Sequence, residues 1–537
     1  MTTDKTVAVV GNGPVGQTTA LLLARWGIPV IVLDARPQRD EIGSKAICQQ
    51  RDVLDVWESV GAGRRIANEG VTWTTARTFY RDRELFSYDL PDSGKSAFPA
   101  FVNISQTRTE QILDEAIAAS DLIDVRWGHT VTGIAQDDTG VRLRCATPAG
   151  EVAITAAYAV ACGGPRSDDL RAGLGVDFGG ESFEDRFLIC DIRVDLPDWA
   201  TERRFYFDPE WNPERQVLIH PCPDSTFRID WQVPGDYDLD AERASGALDA
   251  RIRRIIGDAD YEIVWNSVYR FHSRVVDRMR VGRVLLAGDC AHLVSPFGAR
   301  GLNSGVADAE NAAWKLAFVL NGWAPAELLE SYHIERYAAA LENIEVTTDT
   351  MNFLVPRDDQ QRRVRRDTLE RAAVDPATSA AVDSGRLSEP FWYVDSPLTT
   401  PDPGRPFHGR PPRGTVPPIA PGIIVPDAPV TLPNGGHGRL REFARDGLLL
   451  LAGPGVDVET LARCATAATP APIRVLEIAA IDGDGTLAAA LRAEPGEVWL
   501  VRPDAYLAAA LVEPSVEELA RAIRRARGAT AEITVVA

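Results

Sequence analysis

Apolar positions along the chain fall into distinct regimes. Val7–Val10 is an unbroken apolar run, inward positions then recur at helical spacing through Val15, Thr19, Leu22, Leu23 and Trp26, and Val30–Leu33 is a second apolar run. That order predicts a strand, a helix over 15–26 capped by Gly27, and a second strand, which together make a βαβ unit. Between about 180 and 270 the pattern changes to short runs such as "FLICDIRVDL", "RRFYFDP", "QVLIHPCP" and "TFRIDWQVP", separated by turn residues. These predict an antiparallel sheet. At "RVLLAGD" the continuous apolar run of a buried parallel strand returns, so the first domain is expected to be completed by sequence that follows the sheet.

Prolines crowd 397–433, marking a linker or an extended wrapping segment. Beyond it, strands near 447–452 and 474–479 and a closing helix over 515–527 predict a small α/β domain. The expected divisions are therefore 1–178, 179–274, 275–396, 397–433 and 434–537.

Composition narrows the function classes. At 537 residues the chain has room for roughly two to four domains. A formal net charge of -20 argues against nucleic acid or an anionic membrane as main partner, because either would be repelled by the mean field. No run reaches membrane-span length and the chain enters its first strand directly, so a cytoplasmic protein is expected. The seven cysteines include no Cys-x-x-Cys, which favours reduced thiols over disulfides or a zinc site.

Between the first strand and its helix, Gly11, Gly13 and Gly16 form Gly-x-Gly-x-x-Gly, and the second strand ends in Asp34. Glycines there give a tight turn and let a pyrophosphate approach the helix N-terminus, while the acid accepts hydrogen bonds from an adenosine ribose. Arg36 could read a 2'-phosphate, but Asp34 favours the bare ribose of FAD or NAD. The stretch "LLAGDCAHLVSPFGARGLNSG" (285–305) chooses between these two. It pairs an acid, Asp289, with a close-approach Pro/Gly loop ahead of a helix expected to start near Gly301, and FAD is long enough to need contacts at both ends.

"GDCAH" followed by "PFGARGLNSG" resembles the second FAD fingerprint of the class A flavin monooxygenases, the para-hydroxybenzoate and phenol hydroxylase family. "GSKAICQQRDVLDVWESVG" and "NISQTRTEQIL" look like the family segments that supply Arg51 and Gln106, while "FYFDPEWNPERQVLIHPCPDSTFRIDWQV", "WNSVYRFHSRVVDRMRVGRVLLAGD" and "FGARGLNSGVADAENAAWKLA" look closest to the 3-(3-hydroxyphenyl)propionate hydroxylase-like branch. The Pro-rich segment and "LVRPDAYLAA" resemble the thioredoxin-like C-terminal domain of that branch. The resemblance implies an FAD-binding Rossmann-like domain of glutathione-reductase type, an inserted antiparallel substrate sheet and the thioredoxin-like domain. The implied FAD contacts are Gly11, Gly13, Pro14, Val15, Gly16, Asp34, Ala35, Arg36, Lys45, Arg51, Gln106, Val131, Gly288, Asp289, Pro296, Gly298, Gly301, Leu302 and Asn303. Asp289 is implied to bind the ribityl chain, Pro296 to lie beside the isoalloxazine, and Gly298 to Asn303 to meet its pyrimidine edge.

The reaction implied is reduction of FAD by NADH or NADPH, capture of O2 as a flavin hydroperoxide, and hydroxylation of a phenol or other small aromatic; a homodimer is compatible. One motif departs from the family: "ACGGPRS" places Gly163 where relatives carry an acid on a loop serving flavin and nicotinamide, although Arg166 and Ser167 remain. A degenerate FAD-binding protein and a Baeyer–Villiger or epoxidising oxygenase stand as alternatives, whereas the Trp-x-Trp-x-Ile-Pro signature of flavin halogenases is absent. For catalysis the candidates are His220, Arg228 and Asp230, polar residues among apolar neighbours on the expected sheet. Strand alternation puts Arg228 and Asp230 on one face, where the competing expectation is that they pair with each other towards solvent. His220 is read equally as a base or as a structural histidine, and His292 as structural. All cofactor motifs precede residue 310, so the C-terminal region, whose sole cysteine is Cys464, is expected to be structural or oligomerising, and a truncation near Pro403 to leave a flavin-binding core unless the Pro-rich segment covers apolar surface.

Overall fold

Continuous apolar runs need cover on both faces, and Val7–Val10 accordingly sits inside a six-stranded sheet. Its order is Arg280–Val281, Val284–Leu286, Tyr158–Ala161, Val7–Val10, Val30–Leu33, Ile123–Arg126. All pairs are parallel except that at the 280–281 edge. Sequence on the far side of the middle sheet thus completes the first one, as the hydrophobic pattern predicts. The computed structural model describes residues 5–40, 43, 46–90, 96–406, 417–431 and 435–529. The first helix, Pro14–Arg25, starts at Pro14 because proline's fixed φ suits a first helical position whose N–H would otherwise lack a partner. Gly27 follows it in the left-handed region at φ 76°.

The middle sheet has eight strands, in the order His292–Leu293, Tyr261–Val276, Phe178–Val194, Thr226–Val233, Gln216–Cys222, Glu202–Phe207, Thr75–Tyr80, Arg83–Asp89. It therefore draws strands from outside 179–274, and Thr75–Tyr80 joins in parallel to Glu202–Phe207. Alternation divides its faces. Leu188, Cys190, Ile192, Val217, Ile219, Ile229 and Trp231 cover Leu248 and Ile252 of the helix Ala247–Ile256. On the inner face, Phe187, Phe205, Phe207 and Leu218 pack against Phe297, Met351 and Leu354. A three-stranded meander, Thr130–Gln136, Val141–Thr147 and Gly150–Ala156, is an element the sequence reading passes over.

The C-terminal sheet runs Ile473–Glu477, Leu448–Ala452, Glu497–Val501, Leu507–Val512, with the first pair parallel and the others antiparallel. Residues 420–430 of the expected linker are buried in its core through Ile423, Val425 and Val430. Its other face, Leu448, Leu450, Val498 and Leu500, shares a core with Trp314, Phe318 and Leu328. The C-terminal unit is thus fused to the helix Arg300–Leu320 by apolar contact. Among the described residues no helix is long and apolar enough to cross a membrane.

Candidate active site

The glycine turn is shaped as a cradle. A Cβ on Gly11, which has φ 105°, would lie 2.4 Å from the carbonyl oxygen of Cys162, and one on Gly16 would lie 1.9 Å from that of Gly11. Both positions exclude side chains so that helix and strands can close, whereas Gly13 faces open space. Asn12 is fully buried, yet neither atom of its side-chain amide has a partner among the described residues. Asp34 accepts hydrogen bonds from the Asn12 amide at 2.7 Å and the Arg36 amide at 2.8 Å, and Arg36 Nε and Nη2 lie at 3.0 Å. Burial pushes the Asp34 carboxyl up, but Arg36 and these amides outweigh it and hold the group below the usual carboxylate range. Open space, helix N–H groups and an ionised acid fit the diphosphate and ribose of FAD.

Around this turn, Pro14 and Val15 begin the helix, Ala35 is exposed, and Val131 is half-buried at the start of the meander. Arg51 opens the helix Arg51–Glu58 and donates to Ser96 Oγ at 3.1 Å. Gln106 opens the helix Gln106–Ala118, accepting from the Ala46 amide at 3.1 Å and donating to Glu110 at 2.8 Å. Lys45 lies outside the described residues.

At the other end, strand Val284–Leu286 runs into Gly288 and the exposed Asp289, and the chain then pairs with the edge of the eight-stranded sheet through His292 and Leu293. Pro296 is exposed. Phe297 plugs into the inner face, with its ring 5.4 Å from Phe187, 6.0 Å from Phe205 and 6.1 Å from Phe271. Gly298 has φ 95° and a Cβ there would strike the Arg386 carbonyl oxygen at 2.1 Å. The helix Arg300–Leu320 begins one residue before Gly301, after Ala299 in a left-handed conformation, with Leu302 half-buried in its first turn. The Asn303 side chain is committed to protein: it accepts from the Gln50 amide at 3.0 Å and donates to the Cys48 carbonyl at 3.0 Å. Its backbone is the part left for a cofactor.

The three catalytic candidates share the sheet's inner face. His220 stands in register with Arg228, which stands in register with Asp191. The expected Arg228–Asp230 pair towards solvent is corrected: Arg228 is buried and forks onto Asp191 at 2.7 and 2.9 Å. Two oppositely charged groups on adjacent strands satisfy each other without leaving the interior. Asp230 keeps one enclosed carboxylate oxygen with no partner among the described residues, and burial pushes its carboxyl up to about 7. His220 is held well below its ordinary value by burial and by Arg203 and Arg228, so its imidazole is neutral. Its Nδ1 has no partner among the described residues, and its ring meets Trp73 edge-on at 6.0 Å. Trp73 in turn stacks on Phe101.

Sequence reasoning misses Trp73, Asp191, Arg203, Phe297 and Asp308. Asp308 is a fully buried acid that accepts from the Gly288 amide at 2.9 Å and from His292 Nε2 at 2.7 Å. A partial signal exists, since it is an acid flanked by Ala307 and Ala309, but Glu310, Asn311 and Lys315 on the same run do not set it apart. Gly163 is not a left-handed position; its neighbour Gly164 is, at φ 77°.

A family model described as an FAD binding domain matches residues 4–347. A 3-(3-hydroxy-phenyl)propionate/3-hydroxycinnamic acid hydroxylase of Mycolicibacterium gilvum is 29% identical over 380 residues, 70% of this chain and 64% of that protein. The chain thus spans just under two thirds of that relative's length. A flavin-dependent monooxygenase of Mycobacteroides abscessus is 32% identical over 64% of this chain and 74% of its own. Among solved structures, the flavin-dependent monooxygenase PieE in complex with FAD and substrate superposes with a TM-score of 0.84 at 23% identity, covering 98% of this chain and 99% of that one. Aklavinone-11 hydroxylase with FAD and aklavinone gives 0.77 at 24%, covering 97% and 98%. At these identities the structural likeness speaks for the fold.

Proposed function

We propose that this chain, which belongs to the FAD binding domain family, is an FAD-dependent monooxygenase that hydroxylates a phenolic or other electron-rich aromatic ring lying against the inner face of the eight-stranded sheet. The observation that carries this reading is the junction at Phe297: the loop expected to meet the flavin is inserted into an aromatic layer on the sheet face that also bears His220 and Asp230. Bound FAD supplies the hydride acceptor for NADH or NADPH and the centre that activates O2. Gly11, Gly13, Gly16 and Asp34 hold its diphosphate and adenosine end, and Asp289 with the backbone of Gly298 to Asn303 holds its flavin end.

The chain's own share of the chemistry is orientation, exclusion of water and proton control. Phe187, Phe205, Phe271 and Phe297 form a dry wall beside the reacting region. A neutral imidazole at His220 offers one acceptor nitrogen, which draws a phenol proton towards itself and raises electron density on the ring. Asp230, with a pKa near neutrality, either accepts that hydrogen bond or donates one. Arg228 is a positioning residue, since its guanidinium is engaged by Asp191. The C-terminal unit, a mixed four-stranded sheet flanked by helices, is read as thioredoxin-like.

His220→Ala and Asp230→Asn test the assignment. Each is expected to keep FAD but lose hydroxylation by roughly 10²-fold or more if it handles the phenolic proton. Normal turnover in both variants would return the two residues to structural roles.

A further inference from the structure

A buried ionic cluster ties the C-terminal unit to the flavin loop. Arg502 is fully buried and forks onto Glu335 at 2.5 and 3.0 Å, while Asp504 braces the same guanidinium at 3.0 and 2.5 Å. Glu335 also accepts from Lys315 Nζ at 2.6 Å and from Asn311 at 2.8 Å. The next residue on the helix Glu330–Leu354, Arg336, donates to Asp308 Oδ1 at 2.6 Å. Asp308 Oδ2 then receives the Gly288 amide at 2.9 Å and His292 Nε2 at 2.7 Å. Gly288 immediately precedes Asp289.

Three cations, Arg502, Lys315 and Arg336, thus face three carboxylates, Glu335, Asp504 and Asp308, all buried. Buried charges of this kind fix geometry strictly, because a partner that moves away leaves the other unpaired. We propose that Arg502 is a positioning residue for FAD. By fixing Glu335 it sets the rotation of the helix Glu330–Leu354, and with it the reach of Arg336 and Asp308 to the backbone that presents Asp289. The C-terminal unit therefore acts on the cofactor site without touching the cofactor. This inference rests on the FAD-binding reading, which the parent protein's own FAD affinity checks separately.

The test uses the full chain. Arg502→Met combined with Asp504→Asn removes one charge of each sign and keeps the cluster balanced. Apoprotein of parent and variant is titrated with FAD, its melting temperature is recorded without FAD, and hydrogen exchange is followed in the peptide spanning Gly288 to His292. The variant is expected to melt within a few degrees of the parent, bind FAD at least tenfold more weakly and exchange faster in that peptide. Arg502→Lys, which keeps the charge and loses the fork, is read in the same way should the double variant not fold. Parent-like FAD affinity and exchange in whichever variant folds would overturn the proposal, as would weakening of FAD that only follows a fall in melting temperature.

Discussion

Single residues carry the chemistry, and their legibility in the sequence differs for a physical reason. The glycine turn and Asp34 can be read because their roles are local: tight approach and a strand-end acid lie within one βαβ unit. Arg228 cannot be read correctly, because its partner Asp191 lies 37 residues away and meets it only when two strands pair. Asp230 yields a prediction with a definite sign. Its folded pKa, about 7, lies above the unfolded carboxylate value of about 4, so the native state keeps a proton that the unfolded chain releases. That contribution to stability is present below about pH 4 and is lost as pH rises through 7. Asp230→Asn should flatten the decline in melting temperature between pH 5 and 8 and remove a limb near pH 7 from the kcat/KM profile. Asp289→Ala removes a charge-assisted hydrogen bond worth roughly 1.5–3 kcal/mol and should weaken FAD binding by about tenfold or more; unchanged affinity in a fluorescence titration would refute its role. At Gly163 the backbone does not resist a side chain, but a Cβ would lie 2.7 Å from Ser167 Oγ, which donates to Gly164 at 2.9 Å. Gly163→Asp should therefore cost about 1 kcal/mol for that hydroxyl's displaced bond and speed flavin reduction by NAD(P)H in anaerobic stopped flow. Slower reduction would contradict the loop's proposed service to the nicotinamide.

Elements explain how the site is assembled. The first helix and the strands Val7–Val10, Val30–Leu33 and Val284–Leu286 follow directly from apolar runs and helical spacing, whereas the parallel strand Ile123–Arg126 and the meander at 130–156 are missed, although in the meander "VRLRCAT" alternates cleanly, with Val141, Leu143 and Cys145 buried. Its strands lie before the region where turn signals cluster, and partner strands decide whether a short alternation becomes a sheet. The strand Thr75–Tyr80 is missed for a related reason, since its neighbour Glu202–Phe207 is supplied by distant sequence. The loop before the helix Arg300–Leu320 is readable as Pro/Gly punctuation, but its tie to Arg386 is not. Gly298→Ala places a Cβ against that carbonyl at a positive φ, so it should lower the melting temperature and FAD retention together. A variant with parent-like melting and flavin content would mean that the loop relaxes freely.

The whole molecule departs most from the expectation of a dispensable C-terminal region. Leu448, Leu450, Val498 and Leu500 share a core with Trp314, Phe318 and Leu328, and Arg502 is buried against Glu335. Truncation after Asp402 would expose that apolar surface and leave Lys315 to balance Glu335 alone, so aggregation is expected in place of a stable flavin-binding core. A soluble, yellow fragment on size-exclusion chromatography would contradict this. The central claim is that the FAD-loaded protein inserts oxygen into an aromatic ring. Its most direct test is turnover under ¹⁸O2 with NADH or NADPH and a panel of phenols, followed by mass spectrometry of the products. One ¹⁸O atom on the ring of a hydroxylated phenol, formed with coupled NAD(P)H consumption, is the predicted result; NAD(P)H oxidation that yields only hydrogen peroxide with every phenol tested would contradict it.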